Sequence, residues 1–253
     1  LPLIAKELWY KNNLSKKSSS YILASKALNL LADWNGEMNE HMPEPLIYSA
    51  WISKFQKLII QDELGRLTQK FNQVDPIFLE RVLRNIDNAS TWCDIVPSSE
   101  VETCNQIAEE SLILAVEELS NKYGNNLENW QWGEAHIANH KHEIFGVIPI
   151  INWLSNIKQS TSGGDDTLMR AKTKNYGQTP FENVHSAGFR MIVDFSDLES
   201  SLYIISTGQS GHLLSNQYDN LANLWKRGEY IPMVLDPNLA RAGSLGSIIL
   251  KKK

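Results

Sequence analysis

Three histidines and a glutamate crowd one short segment in the middle of the chain. They are Glu134, His136, His140 and His142. An extended backbone would place all four side chains on one face, and imidazole and carboxylate groups are ligands that Zn²⁺ accepts. The spacing does not match the His-Glu-x-x-His motif, and a helix would align only His136 with His140. We therefore favour a hydrogen-bonded structural cluster over a zinc site, with the wall of a binding site as a third interpretation.

A glycine-rich turn at Thr207–His212 offers a second candidate. Its Ser210 lies between two glycines, and with His212 and Asp219 it could form a hydrolytic triad. A nucleophile elbow needs Gly-x-Ser-x-Gly, however, and here the second glycine comes one residue too early. We favour a tight turn in which the glycines adopt positive φ angles.

Two further polar pairs stand in the second half of the chain. Asp165 and Asp166 lie in a Gly-rich loop that lacks the alternating oxygen ligands and the distal Glu of a calcium loop, which favours a solvated loop. Arg190 and Asp194 share the face of a predicted strand that is opposite to its apolar side chains. If that face lines a cleft, Asp194 could orient another group, whereas in solvent the two would form a weak ion pair. We favour a structural or supporting role for this pair over direct catalysis.

Helices dominate the elements that must position these residues, and residues 1–125 are predicted to be mainly helical. Apolar residues three and four apart predict a first helix over Tyr21–Trp34 and a second from Pro45 onward. Asp75 followed by Pro76 is typical of the N-terminus of a third helix.

The longest helix is predicted to come last in this half. Ser99 and Glu102 match a capping box at its start, and Val101 is the first residue of its apolar stripe. Gly124 ends it, because glycine readily takes the left-handed conformation that terminates helices.

Strands and loops dominate the prediction for residues 126–253. Ser186–Phe195 alternates apolar and polar residues, and Ser201–Thr207 completes a predicted hairpin. We predict further strands at Ile144–Trp153 and Thr167–Lys174. A helical first half followed by antiparallel strands indicates an α+β fold.

Composition narrows the class of protein. The chain has 253 residues, of which 42% are hydrophobic and 21% charged, which suits one large domain or two small ones. Its net charge is −5 and its only basic block is Lys251–Lys253, so a nucleic-acid partner is disfavoured. No apolar run approaches the roughly 18 residues that a membrane span needs.

Cys93 and Cys104 are the only cysteines. A bridge between them would close a short loop and would suit an exported, oxidised protein. Two reduced, buried cysteines fit the spacing equally well, so the residues alone leave both states open.

Four stretches carry a resemblance to a known family. The most specific, Ser206–Asp219, contains Gly-Gln-Ser-Gly followed by Ser-Asn-Gln-Tyr-Asp, with Leu224-Trp225 and Gly228–Met233 after it. The others are Leu30–Gly36, Lys122–His136 and His185–Arg190 with Asp194. Together they resemble the penicillin acylase (penicillin amidase) family of N-terminal-nucleophile hydrolases, over most of the chain. Trp92–Asp94 with Cys104 is similar to a bacterial branch of that family that has a cysteine pair at this place.

The sequence departs from the family pattern at three places. Asn35 stands where the family usually has Asp, and Gln217 stands where it usually has His before Tyr218. The segment from Trp153 to Pro180 carries few family features. The order and spacing of the four stretches are nevertheless kept.

The resemblance implies a fold and a place within it. Residues 1–253 would be the C-terminal portion of the large (beta) subunit, one part of an αββα sandwich rather than an independent complete domain. The family's nucleophile is a serine that becomes the first residue of the large subunit, and its free α-amino group acts as the base. That serine and the Asn of the oxyanion hole would lie upstream, and Leu1 cannot replace the serine. The resemblance therefore implies no catalytic residue, cofactor or metal in this chain, and any structural calcium would also lie upstream.

Some residues would still form a wall of the site or support it. His185, Arg190 and Asp194 are the candidates that the resemblance brings. Asp194 is the most interesting of the three, because in some cephalosporin-type members an acidic residue in a similar late strand supports the amine.

The resemblance also implies a function. The complete enzyme would cleave the linear amide of an N-acylated substrate, of the β-lactam or acyl-homoserine-lactone type, in the periplasm or outside the cell. Its partner would be the remaining N-terminal part of the acylase, without which this chain would be inactive and would expose apolar surface. The alternatives are an inactive product of a split or decayed acylase gene and a non-enzymatic binding domain built around the histidines.

Overall fold

The helices predicted for the first half of the chain are present, with bounds that shift by a few residues. The computed structural model describes residues 19–244 and 246–252, so that Leu1 and Lys253 lie outside it. The four longest helices are α1 (Ser19–Asp33), α2 (Glu44–Leu64), α3 (Pro76–Leu83) and α4 (Cys104–Tyr123). Short 3₁₀ segments follow at Gly65–Lys70, Ile86–Cys93 and Leu127–Asn129. Every helix in the described ranges is too short or too polar to cross a membrane.

Proline and aspartate set two of the helix starts as predicted. α2 begins directly after Pro43 and has Pro45 in its first turn, where the missing N–H would have no helical partner. The carboxylate of Asp75 accepts hydrogen bonds from the backbone amides of Ile77 and Phe78, both at 3.0 Å. The predicted N-terminus of α3 is thereby confirmed.

The capping box of α4 lies one turn later than predicted. Thr103 and Gln106 form it: the Thr103 hydroxyl accepts from the Gln106 amide, and the Gln106 side chain accepts from the Thr103 amide. Ser99 and Glu102 match the same pattern but do not cap the helix. The Glu102 carboxylate instead accepts from the backbone amide of Ile95. This bond, followed by a weaker contribution from the Ser98 side chain, holds the pKa of Glu102 below its usual value.

The chain forms two compact units, and helices α1 to α4 belong to the first. This unit comprises the described residues up to Ala138 together with Ser160–His185. In its core α2 packs against α1 and α4, and the Trp51 indole donates hydrogen bonds to the Ala108 carbonyl and the Ser111 hydroxyl of α4 at 2.8 and 3.1 Å. Such bonds let a large aromatic side chain contribute buried area without leaving its N–H unpaired.

Cys93 and Cys104 form a disulfide, which decides between the two states that the sequence left open. The bridge ties the end of the second 3₁₀ segment to the first residue of α4. The sulfur of Cys93 lies in the helical core, where that residue is fully buried. The bridge thus anchors the irregular Asp94–Thr103 connection at both ends.

Replacing both cysteines by serine is expected to lower the free energy of unfolding by about 2–3 kcal/mol, because the unfolded chain regains the freedom of a loop with a sequence separation of 11. Urea unfolding with and without dithiothreitol measures this. The reductant should destabilise the wild type and leave the double variant unchanged. Equal sensitivity of both proteins to the reductant would contradict the prediction.

A four-stranded sheet follows the helices along the chain. Its strands are β1 (Ile137–His140), β2 (Ile157–Ser160), β3 (Ala171–Thr173) and β4 (Asn183–Ser186), in the order β2-β1-β4-β3. β1 pairs with β4 in parallel, at Ala138 and Asn183, so the strands of the second half are not all antiparallel. The strand predicted over Thr167–Lys174 shortens to β3, because the Thr167 hydroxyl accepts from the Gly164 amide and donates to the Met169 carbonyl in a turn.

The second unit contains the predicted hairpin. It comprises residues 139–159 and the described residues from Ser186 onward. β5 (Phe189–Ile192), β6 (Leu202–Ile205) and β7 (Ile231–Pro232) form an antiparallel sheet in the order β5-β6-β7. The short helices of the second unit are α6 (Ile151–Ser155), α7 (Ala222–Arg227) and α8 (Pro237–Ala242), whereas the short helix α5 (Trp132–Ala135) belongs to the first unit.

The prediction of a strand over Ile144–Trp153 is wrong. A 3₁₀ turn at Phe145–Val147 and α6 occupy this stretch. The Asn156 side chain accepts from the His142 amide at 3.0 Å and donates to the Gly146 carbonyl at 3.2 Å. These two bonds close the segment into a compact loop, so its apolar residues do not enter a sheet.

Candidate functional site

His136 is a buried, neutral imidazole at the end of α5. Its ring stacks on Trp132, with centroids 4.3 Å apart and planes inclined by 15°. Nδ1 lies 2.7 Å from the Phe181 carbonyl oxygen, and because a carbonyl can only accept, Nδ1 carries the proton. Burial lowers the pKa of His136 to about 4, although the Phe181 carbonyl opposes the shift. Nε2 is therefore a buried acceptor, and it has no hydrogen-bond partner among the described residues.

The other histidines of the segment have contacts of their own. His140 packs edge-on against Trp225, with centroids 5.5 Å apart, and burial lowers its pKa. Nδ1 of His142 accepts hydrogen bonds from two backbone amides of the following turn, at 3.1 and 3.2 Å. Within residues 19–244 and 246–252, no group of three His, Cys, Asp or Glu side chains is arranged to hold a metal ion. The imidazoles of His136, His140 and His142 thus contact neighbouring rings and backbone groups.

The glycine-rich turn does not form a hydrolytic triad. The hydroxyl of Ser210 accepts a hydrogen bond from the backbone amide of His212 at 3.1 Å. Nδ1 of the His212 imidazole accepts from the backbone amide of Leu214 at 3.2 Å. Both side chains thus stabilise the turn, and the imidazole of His212 forms no hydrogen bond with the Ser210 hydroxyl in the described residues.

The glycines of this turn serve a purpose other than the predicted one. Neither Gly208 nor Gly211 has a positive φ angle, so the expectation on that point was wrong. A Cβ atom at Gly208 would lie 2.2 Å from the carbonyl oxygen of Gln217. Gly208 is needed because the backbone of the returning chain passes directly beside it.

The loop that carries Asp165 and Asp166 is largely packed against the rest of the first unit. The prediction of a solvated loop was therefore wrong for most of its residues. The Asp165 carboxylate accepts from the Thr173 amide at 3.2 Å and from the Gln73 side chain at 3.1 Å. The Trp132 indole donates to the carbonyl of the buried Gly163 at 2.9 Å. Only Asp166 and its neighbour Leu168 remain largely exposed between Thr161 and Met169.

A cavity of about 290 Å³ opens beside this loop, within the first unit. Its walls include the aromatic rings of Trp34, Tyr48 and Trp51 and the carboxylates of Asp165 and Asp166. Burial raises the pKa of Tyr48, and the negative charges of the two aspartates raise it further. The sequence singled out the aspartates. Tyr48 could not be identified from the sequence, because it lies on an apolar helix and comes close to the two aspartates only in the folded chain.

Arg190 holds neighbouring elements of the second unit together. Its guanidinium lies over the rings of Trp225 and Tyr230, 5.3 and 5.8 Å from their centroids, and donates to the Trp225 carbonyl. The Trp225 indole in turn donates to the Ala187 carbonyl at 2.9 Å. Burial lowers the pKa of Arg190, while Tyr230 opposes the shift. The guanidinium thereby connects β5 to α7 and to the residue before β7.

Asp194 and His185 form none of the contacts described for Arg190. The Asp194 carboxylate accepts from the amide and the hydroxyl of Ser196 at 2.9 and 2.6 Å, and these bonds keep its pKa below the usual value. No ion pair joins Asp194 to Arg190 in the part of the chain that the structure describes, so the surface pair considered from the sequence does not form. His185 is exposed on β4 and belongs to the first unit.

Comparison with solved structures defines the class of fold. The chain is similar over its whole length to a thermostable penicillin G acylase from Alcaligenes faecalis, with a TM-score of 0.55, 15% identity and 46% of that chain covered. The α+β fold implied by the sequence is thereby confirmed. At this identity the likeness establishes the fold alone.

The family follows from the sequence itself. The sequence model of the penicillin amidase family matches residues 2–242, and the chain belongs to this family of amide hydrolases. The acyl-homoserine lactone acylase QuiP of Pseudomonas syringae pv. syringae is 28% identical over 218 residues, which are 82% of this chain and 26% of the relative. The protein of the same name from Pseudomonas aeruginosa is 25% identical over 238 residues, which are 86% of this chain and 28% of that relative. The chain thus spans about a quarter of the length of these curated relatives.

Proposed function

We propose that the chain is the C-terminal portion of an amidohydrolase that cleaves the linear amide of an N-acylated substrate, of the β-lactam or acyl-homoserine-lactone type. The observation that carries this proposal is the family match over residues 2–242. Relatives named acyl-homoserine lactone acylases support the substrate class. Because the chain spans about a quarter of their length, the substrate and the catalytic residues of the whole enzyme are part of the proposal.

The proposed reaction proceeds through an acyl-enzyme. The hydroxyl of a chain-terminal serine adds to the amide carbonyl carbon while its own α-amino group takes the proton. Backbone N–H groups and an Asn side chain stabilise the oxyanion, the C–N bond breaks, and the amine leaves with the proton. Water then hydrolyses the ester, and no cofactor is needed. We place the serine and the Asn on the remaining part of the acylase, and the use of Ser210 in a turn supports this.

The role proposed for this chain is to build and support the site. Arg190 acts as a positioning residue, because its guanidinium is committed to Trp225 and Tyr230. Asp194 and His185 are the proposed wall residues. Hydrogen bonds from Ser196 keep the pKa of Asp194 below its usual value, and an ionised carboxylate suits a group that supports a substrate amine.

Exposed apolar groups support the proposed assembly with the remaining part of the acylase. Phe189 and Met191 project from the same face of β5 and are 55% and 49% exposed. Their partners on β6 are Ile205 and Tyr203, so both strands carry large apolar side chains on this face. A sheet face of this kind is usually covered in the complete protein.

We further propose that the protein is exported to the periplasm or secreted. The disulfide between Cys93 and Cys104 supports this, because such bridges persist in oxidising compartments and are rare in the cytosol. Labelling of free thiols in intact cells tests it: a chain that labels at both cysteines without a reductant would contradict export.

Hydrolysis of a phenylacetyl or fatty-acyl anilide tests the function. The 253-residue chain alone is expected to release no aniline above background, whereas the chain produced together with the remaining part of its acylase should turn over and should lose its binding of an apolar dye. The matched control is Ser210→Ala in the assembled enzyme, which should change kcat by less than about twofold, since turnover depends on a nucleophile elsewhere.

Three outcomes separate the alternatives. Turnover by the isolated chain that disappears with Ser210→Ala would overturn the missing-nucleophile argument. An assembled but inactive protein would favour a product of gene decay. In the active assembly, Asp194→Asn and His185→Gln should each raise KM if these residues line the site, and unchanged kinetics would remove them from its wall.

A further inference from the structure

The cavity beside the loop of Asp165 and Asp166 has one aromatic side. Trp34, Tyr48 and Trp51 line it. The rings of Trp34 and Tyr48 are 5.3 Å apart and inclined by 48°, and the indoles are fixed by hydrogen bonds, from Trp34 to the Glu37 carbonyl and from Trp51 to the Ala108 carbonyl. The aromatic surface is therefore held in place before any ligand arrives.

Two mostly buried residues, Ser49 and Thr173, add hydroxyl groups to the lining of the same cavity. They are 8% and 4% exposed. Neither hydroxyl forms a hydrogen bond with another described residue. Neither oxygen is among the buried polar atoms that lack a partner, so both are open to the cavity, and a molecule in the cavity could form hydrogen bonds with them.

Negative charge completes the cavity. Asp165 and Asp166 line it, and neither forms an ion pair within the described residues. Two hydrogen bonds, from Thr173 and Gln73, fix the Asp165 carboxylate, whereas Asp166 is exposed at the rim. Carboxylates next to aromatic faces attract an organic cation, which aromatic rings also bind directly.

We propose that this cavity binds a small organic ammonium ion that also carries a hydroxyl group. The ammonium would lie between the aromatic rings and the two carboxylates, and the hydroxyl would bond to Ser49 or Thr173. A volume of about 290 Å³ is at the lower end of the range for ligand pockets, roughly 300–1,000 Å³, and restricts the ligand to a small molecule. The proposal does not depend on the proposed amidase function, because none of His185, Arg190 and Asp194 lines this cavity.

Choline is a suitable probe, because its uncharged carbon analogue 3,3-dimethylbutan-1-ol has the same shape and the same hydroxyl. Titration of the 253-residue chain, followed by calorimetry and by tryptophan fluorescence, should show saturable binding of choline and at least tenfold weaker binding of the analogue. Asp166→Asn should weaken choline binding about fivefold or more and leave the analogue unaffected. Glu110→Gln removes the same charge from an exposed position on α4 and should change neither affinity.

Several results would overturn the proposal. Equal affinities for choline and its analogue would show an apolar cavity without charge recognition. An unchanged choline affinity in Asp166→Asn, or an equal loss in Glu110→Gln, would place the cation elsewhere on the surface. Absence of saturable choline binding would mean that solvent alone satisfies the two hydroxyls.

Discussion

Gly208→Ala is expected to lower the free energy of unfolding by about 3 kcal/mol or more, one of the two largest effects that we predict. The added methyl carbon would lie 2.2 Å from the Gln217 carbonyl oxygen and 2.8 Å from the Tyr218 carbonyl carbon. These are backbone atoms, which cannot rotate away as the end of a side chain can. The turn would have to open, and the hydrogen bond from the Ser210 amide to the Gln217 carbonyl would be lost with it.

Gly211→Ala is the matched control within the same turn. A Cβ atom at Gly211 meets nothing within 4 Å, and its φ angle is not positive. This variant should change stability by less than about 0.5 kcal/mol. Chemical unfolding followed by circular dichroism compares the two variants with the wild type. Similar losses for both would mean that the turn needs glycine for backbone freedom and not for close approach.

The free energy of unfolding of the first unit is expected to fall by up to about 3 kcal/mol as the pH drops from about 6.5 to about 4, owing to His136. Above pH 6.5 the imidazole is neutral in both the folded and the unfolded chain. Between the two values the unfolded chain binds a proton that the folded chain does not, so acid favours unfolding. Below about pH 4 both states carry the proton and the effect levels off.

His136→Phe should flatten this part of the pH profile while keeping a ring beside Trp132. Urea midpoints measured between pH 4 and 8 give the profile for each variant. The control is His41→Gln, which removes an imidazole whose side chain is 74% exposed. His140, whose pKa burial also lowers, belongs to the second unit and affects the pH dependence of that unit. A His136→Phe profile as steep as that of the wild type would contradict the assignment.

Local patterns predicted the helices well because the energies that decide them are local. Asp75 caps α3 with its own side chain, two and three residues away. The start of α4 shows the limit of such patterns, since Ser99 with Glu102 and Thr103 with Gln106 both satisfy the capping rule. The Glu102 carboxylate is engaged by the Ile95 amide, and this decides in favour of the later start.

The candidate site was less predictable because its groups meet only through the fold. The even spacing of the histidines suggested one shared face. In the structure His136 bonds to Phe181, a residue 45 positions away. The apolar run at Ile144–Trp153 suggested a strand, yet the side chain of Asn156 folds it into a loop. Neither contact could be predicted from the residues next to it along the chain.

The sequence by itself determined the family, the helical first half and the hairpin of β5 and β6. It could do so because motif order, apolar period and capping residues are properties of neighbours along the chain. Only the tertiary structure decided that the cysteines are bridged, that Gly208 is required by the backbone beside it, and that Tyr48, Ser49 and Thr173 share a cavity with the two aspartates. Those facts depend on distances between residues that are far apart in the chain. Burial and packing set these distances, and the spacing of residues along the sequence does not reveal them.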